Sequence, residues 1–344
     1  MQYSNLKILE PDLRPEDILV DQFGRTFDYL RIAVNERCNL RCMYCMPEEG
    51  VRFNQSYALL QTEEIIRVIS IVARLGVNKI RFTGGEPLLN KDIVKLVKIT
   101  SQIPGINSVH LTTNGTLLTE KINDLKSANL SGLNISLDTL NKEKFERITR
   151  RTGLDTVINS IYSALEAGIP NVKINVVMIR GINDDELADF AELTRSSQVT
   201  VRFIELMPFD SHQIWKTGHF MGVEFGLKRL LERYDKLEPA HGSSTEHQIF
   251  NIAGYKGKIA LIPSYTRNMC TNCSRVRLTA DGKIRNCLYS DKEYNILELL
   301  RNGTSDDHLK SIFKSAMWTK LKDGWEAQYT QKTNNRESMT QIGG

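Results

Sequence analysis

The sequence predicts an α/β fold, an incomplete (β/α)6 TIM-like barrel followed by a C-terminal extension, and three observations predict it. Short apolar runs of strand length alternate with stretches of helical period. The alternation yields six strands, the last being Thr200–Glu205, too few to close an eight-fold barrel. Glycine-, cysteine- and polar-rich segments recur at one place in each unit, just after the strand, where the site of such barrels lies.

The elements follow in order. Tyr29–Val34 (YLRIAV) is the first strand. Thr62–Leu75 has helical spacing, with Ile65, Ile66, Ile69 and Val72 apolar, and Thr62 followed by Glu63 and Glu64 marks its start. Lys79–Phe82 and Lys91–Thr100 form the second unit, Ser108–Leu111 and Glu120–Ala128 the third, and Leu133–Leu137 and Asp155–Ala167 the fourth. Val172–Met178 and Asp184–Arg195 form the fifth, and Thr200–Glu205 ends the series. Strands joined through helices in this way run parallel, with the helices packed outside. The expected division is an N-terminal extension over 1–28, the partial barrel over 29–235 and a C-terminal region over 236–344.

After the first strand come cysteines, and after the second comes Gly84-Gly85-Glu86-Pro87. Thr112-Thr113-Asn114-Gly115 follows the third, and Ser136, Asp138 and Thr139 follow the fourth. The fifth leads into Met178-Ile179-Arg180 and the sixth into Glu205-Leu206-Met207-Pro208. Any one of these alone reads as an ordinary turn. Together, in a ring that includes cysteines, they predict one polar cavity.

Composition narrows the function. With 41% hydrophobic and 25% charged residues the chain is ordinary globular material, not disordered. A net charge of +4 over 344 residues is too weak a field to demand nucleic acid. The longest apolar runs fall well short of the roughly 18 residues a membrane span needs, so no membrane partner is expected. The N-terminus interleaves Glu10, Asp12, Glu16, Asp17 and Asp21 with its apolar residues and lacks a signal-peptide pattern, which predicts a cytoplasmic enzyme in a reducing compartment.

The six cysteines fall into two groups, Cys38, Cys42 and Cys45 (C-x3-C-x2-C) and Cys270, Cys273 and Cys287 (C-x2-C-x13-C). Disulfides are disfavoured in a reducing compartment. Zinc competes, because C-x2-C is a common zinc knuckle, but structural zinc wants four ligands and each group offers three. The histidines, at 110, 212, 219, 241, 247 and 308, do not fall beside the cysteines. Three thiolates suit a 4Fe-4S cluster whose fourth iron stays open to a small molecule.

The stretch Cys38-Asn39-Leu40-Arg41-Cys42-Met43-Tyr44-Cys45, followed by Gly84-Gly85-Glu86-Pro87, resembles the signature of the radical S-adenosylmethionine (SAM) superfamily. Cys270 through Arg275-Val276-Arg277 to Cys287, with the terminal Ile342-Gly343-Gly344, narrows the resemblance to the molybdenum cofactor biosynthesis protein A family, the GTP 3′,8-cyclases. The resemblance implies two 4Fe-4S clusters, one on each cysteine group. At Cys38, Cys42 and Cys45 it implies that SAM chelates the open iron and is cleaved to methionine and a 5′-deoxyadenosyl radical. Tyr44, Gly85, Ser136 and Met207 match SAM-binding positions. The open iron at Cys270, Cys273 and Cys287 is implied to meet the guanine end of GTP. Arg31, Arg81, Thr112, Lys173 and the run Arg275, Val276, Arg277 match GTP-binding positions.

The implied reaction takes hydrogen from C3′ of the ribose and joins that carbon to C8 of guanine, giving 3′,8-cyclo-7,8-dihydro-GTP, with Arg275 or Arg277 assisting the final reduction. Implied partners are a reductant protein, a MoaC-type cyclase that consumes the product, and a second copy in a homodimer. The family threads its Gly-Gly tail, here Gly343-Gly344, into the active site. The alternative is a radical SAM peptide-modifying enzyme with an auxiliary cluster, a class that normally has more than three cysteines in its C-terminal extension. A non-enzymatic electron carrier would need fully ligated clusters. A zinc-stabilised RNA-binding protein would need a denser basic face.

Overall fold

The computed structural model describes residues 17–208, 218–241, 248–266, 270–331 and 338–342. Gly343-Gly344 and most of the extension over 1–28 lie outside the described residues. The six expected strands are present as β1 (Tyr29–Ala33), β2 (Lys79–Thr83), β3 (Ser108–Thr113), β4 (Gly132–Ser136), β5 (Val172–Met178) and β6 (Thr200–Glu205). Each pairs in parallel with its neighbour in chain order. Helices α1 (Thr62–Ala73), α2 (Ile93–Thr100), α3 (Ile122–Ser127), α4 (Lys142–Thr149), α5 (Leu154–Glu166) and α6 (Leu187–Glu192) fill the crossovers.

One helix departs from expectation. α4 carries the mostly charged sequence KEKFERIT, with only Phe145 and Ile148 as large apolar residues, both buried. Two apolar anchors over eight residues make a weak periodic signal. The Asn141 side chain accepts from Lys144 N at 3.1 Å to start it. Arg150, in the left-handed region at φ +54°, ends it.

The C-terminal region does not stand apart. After α7 (Val223–Leu231) come β7 (Leu237–Ala240), β8 (Gln248–Ile252) and β9 (Lys258–Ile262), and β9 pairs in parallel with β6. Next come β10 (Arg275–Leu278), β11 (Lys283–Arg285) and β12 (Tyr294–Asn295), and β10 pairs in parallel with β1 at the opposite edge. The described strands thus form one twelve-stranded sheet, in the order β12-β11-β10-β1-β2-β3-β4-β5-β6-β9-β8-β7, open between β12 and β7. Helices α8 (Leu297–Arg301), α9 (Asp306–Trp318) and α10 (Gly324–Tyr329) complete the chain.

Strand alternation sorts the two faces. On β5, Val172, Ile174, Val176 and Met178 are buried in the helix-facing core, and Lys173, Asn175 and Val177 take the other face. On β1, Leu30 and Ile32 join Val68, Ile69 and Leu96 in the same core. Full burial of each such side chain contributes about 1.5–3 kcal/mol. The concave face is left polar, and the site lies there. Among the described residues no helix is long and apolar enough to cross a membrane.

Candidate active site

A cavity of about 350 Å³ opens on the concave face, and all six cysteines line it. The N-terminal group sits on the loop after β1. The Arg41 guanidinium donates to the Cys38 and Leu40 carbonyls at 2.6 and 2.9 Å. The end of α4 holds the same loop: Arg41 N and Met43 N donate to the Thr149 and Ile148 carbonyls, each at 2.9 Å. Arg150 donates to the carbonyls of Arg41 and Met46, each at 3.0 Å.

The Gly84-Gly85 turn packs directly beneath. A Cβ at Gly85 would lie 2.2 Å from the Arg37 carbonyl oxygen, so only glycine fits. Gly85 N and Glu86 N donate to the Asn35 and Arg37 carbonyls at 3.0 and 2.7 Å. The glycine therefore lets the cysteine loop approach, a backbone requirement that acts before any ligand arrives. The Glu86 carboxylate accepts from Thr113 Oγ1 (2.6 Å), Asn114 N (2.7 Å) and Leu88 N (3.0 Å). Burial still pushes its pKa up to about 7. Asp138 accepts from Tyr44 at 2.6 Å and from Val177 N at 2.8 Å, and burial pushes it up to about 6.

The C-terminal group is mixed: burial raises the Cys270 thiol, as at the first group, with Cys287 and Cys273 adding to it, but Cys273 goes the other way. Burial raises the Cys273 thiol, but Lys320, Arg275 and Arg277 outweigh it and bring the pKa down to about 7. Lys320 is buried and donates to the Asn286 carbonyl. Burial, then Arg31 and Arg275, lower Arg277 to about 9.

Most residues expected from the sequence meet in this cavity. Tyr44, Gly85, Ser136 and Met207 line it, as do Arg31, Thr112, Arg275 and Arg277. Arg81, Lys173 and Val276 are not among its lining residues. Arg81 is buried beside it and donates to Thr112 Oγ1 at 3.2 Å. Lys173 stands on β5 two residues before the lining residue Asn175. The Val276 side chain is fully buried in the helix-facing core, because alternation on β10 sends it away from its neighbours Arg275 and Arg277.

Among the lining residues that escaped the sequence reading are Asn134, Asn175, Arg202 and Lys320. Arg202 donates from Nε and Nη2 to Asn175 Oδ1 at 2.9 and 2.5 Å. The buried Asn134 Oδ1 has no hydrogen-bond partner, which marks a place for a donor from a ligand. Strand alternation is the signal that could have found the first three.

The residues present fit iron–sulfur clusters. The six thiols are free, with no disulfide between them. Among the described residues no group of three His, Cys, Asp or Glu side chains is gathered as the ligands of a single ion would be. In a cluster each thiolate meets a different iron, so the ligands ring a space instead of converging on a point.

The chain is similar to known proteins over most of its length. The family described as the radical SAM superfamily matches residues 32–194, and that described as Molybdenum Cofactor Synthesis C matches residues 199–325. The GTP 3′,8-cyclase of Chlorobaculum tepidum is 45% identical over 327 residues, covering 95% of this chain and 97% of that protein. The mitochondrial GTP 3′,8-cyclase of Arabidopsis thaliana is 42% identical, over 95% of this chain and 84% of that one. Among solved structures, Streptococcus suis SuiB bound to precursor peptide SuiA aligns with a TM-score of 0.56 at 16% identity, over 84% of this chain and 67% of that one. Native anSMEcpe with bound AdoMet aligns at 0.55 and 16%, over 82% of each chain. At that identity the two structures speak for the fold alone.

Proposed function

This chain belongs to the radical SAM superfamily and, within it, to the GTP 3′,8-cyclases of molybdenum cofactor biosynthesis, and from that membership we infer that GTP is cyclised in the cavity described above. One observation carries the assignment to this cavity: two cysteine groups far apart in sequence line the same space, together with Arg31, Arg202, Arg275, Arg277 and Lys320. A SAM at one group and a nucleotide at the other would then face each other. Cys38, Cys42 and Cys45 would hold one 4Fe-4S cluster, and Cys270, Cys273 and Cys287 a second. When bound, the first cluster and SAM would supply radical chemistry, through a 5′-deoxyadenosyl radical, able to abstract the hydrogen from C3′ of the ribose.

The protein's own residues do the rest. The close approach at Gly85 fixes the cysteine loop, so whatever binds there meets a rigid wall. Tyr44, Ser136 and Met207 would contact SAM, and the Asp138 carboxylate behind Tyr44 offers it negative charge. Arg31, Arg202 and Arg277 would receive the triphosphate, where bidentate guanidinium contacts offset its desolvation. Arg81 and Lys173 would add to the field from one layer away. The Val276 side chain would contribute only packing, leaving its backbone as the group able to touch the nucleotide. Arg275 and Arg277 flank the second cysteine group and are placed to assist the reductive end of the reaction. A reductant protein, a MoaC-type cyclase acting on the product and a homodimer complete the reading.

The test is anaerobic incubation of the reconstituted protein with SAM, dithionite and each nucleoside triphosphate in turn. Conversion of GTP alone, with 5′-deoxyadenosine formed alongside, is expected. Modification of a peptide in place of any nucleotide would overturn it.

A further inference from the structure

Beneath the arginines lies a phenol that the proposed reaction does not use. Tyr29 opens β1 and stands in register with Lys79 on β2 and Arg275 on β10. Only 3% of it is exposed. Its oxygen accepts from Arg81 Nε at 2.5 Å and from Arg31 Nε at 3.2 Å. The Lys79 ammonium sits 5.0 Å from its ring centroid. The charges acting on it are Arg31 on its own strand, Arg81 and Lys79 on β2 and Arg275 on β10, all cationic. His110 on β3, in register with Arg81, adds no charge, because burial, Arg81, Lys79, Lys173 and Arg202 hold its pKa down at about 2.

A buried phenol oxygen that accepts from two guanidiniums is a natural site for negative charge. We propose that Tyr29 is a positioning residue for the polyphosphate of the substrate: its phenolate holds Arg31 and Arg81 as an internal counter-ion, and takes up a proton from water when the polyphosphate engages Arg31 at the cavity wall and its charge offsets that of Arg81 behind it. The proposal rests on the reading of the cavity as a GTP site. The electrostatics run the same way. Burial pushes the phenol's pKa up, but Arg31, Arg81, Lys79 and Arg275 outweigh it and bring it to about 6. A bound polyphosphate cancels much of that cationic field, and the phenol returns toward its ordinary value of about 10. Between those two values binding captures a proton. The affinity for GTP therefore falls as pH rises, by up to about tenfold per pH unit.

Titration calorimetry of the anaerobically reconstituted protein at pH 8, in two buffers of different ionisation enthalpy, counts that proton. At this pH the terminal phosphate of GTP is already ionised, since its last pKa lies at about 6. The wild-type protein should take up close to one proton more with GTP than with guanosine. Tyr29→Phe should lose that proton, and its binding of guanosine reports that it is folded. Equal uptake for GTP and guanosine in the wild-type protein overturns the proposal, as does undiminished uptake in Tyr29→Phe. If the variant does not fold, the wild-type comparison decides alone. A protein that binds no GTP overturns the substrate reading too, whereas GTP bound without the extra proton overturns only the role of Tyr29.

Discussion

The two cysteine groups share one cavity and differ in their electrostatic company. Around Cys42 and Cys45, burial and then neighbouring negative groups push the thiols up, Cys45 to about 12, with Asp138 among the causes for both. Around Cys273, Lys320 and the arginines of β10 bring the thiol down to about 7. Although burial raises Cys270 as it raises the first group, the cavity is divided by charge at Cys42, Cys45 and Cys273, with Asp138 behind the first two and cations beside the third. SAM carries a sulfonium and an ammonium against one carboxylate and is a net cation, whereas GTP is a polyanion. On the proposed reading, a divided field of this kind would sort the two ligands to opposite ends before any specific contact forms.

The comparison breaks most visibly at the cysteines themselves. Reconstituted protein should hold about eight irons per chain, four at each group, and Cys42→Ser should hold about half. That variant should form no 5′-deoxyadenosine, measured chromatographically after reduction. Cys273→Ser should lose GTP conversion while retaining most SAM cleavage. Equal loss of both products in the two variants would erase the division of labour between the groups, and zinc in place of iron would end the cluster reading.

How much of this was legible in the sequence depends on the range of the interaction. The six parallel strands were readable because each is a short apolar run bounded by turn residues. The N-terminal site was readable because its cysteines and Gly84-Gly85 lie on contiguous segments. α4 was not, since Phe145 and Ile148 alone give it no periodic face, yet its last turn grips the cysteine loop through the Ile148 and Thr149 carbonyls. The placement of β9 and β10 on opposite edges of the sheet was hidden for another reason. Parallel pairing across such separations leaves no local pattern. Arg202 and Asn134 were visible in principle as inward positions of alternating strands. Lys320, in the connection from α9 to α10, carried no signal at all. Its importance exists only after the chain has folded it against Asn286.

The cationic end can be weakened without touching a cluster ligand. Arg277→Gln removes a buried charge beside the second group, and a hydrogen bond to a charged partner contributes about 1.5–3 kcal/mol. GTP affinity should fall by roughly ten- to a hundredfold, measured by equilibrium binding, with SAM affinity unchanged. A matching loss of SAM affinity would mean that the two ends are not electrically independent.

The acidic end gives the smaller and more diagnostic effect. Asp138→Asn keeps a side chain of the same shape behind Tyr44 but removes the charge, and SAM affinity should fall about fivefold, the worth of roughly 1 kcal/mol of partly screened attraction. The pH dependence has a definite sign. The folded pKa of Asp138, about 6, lies above its ordinary value of 3.8, so folding favours the protonated carboxyl. Its contribution to stability is full below about pH 4 and is lost as pH rises toward 6, the reverse of a salt-bridged aspartate. Binding of a cation runs the other way, because only the ionised carboxylate attracts it. SAM affinity of the wild-type protein should therefore rise between pH 5 and 7 and then level off, while Asp138→Asn stays flat across that range. A variant that kept the wild-type slope would move the titrating charge from Asp138 to another group, with Glu86, at about 7, the next in line.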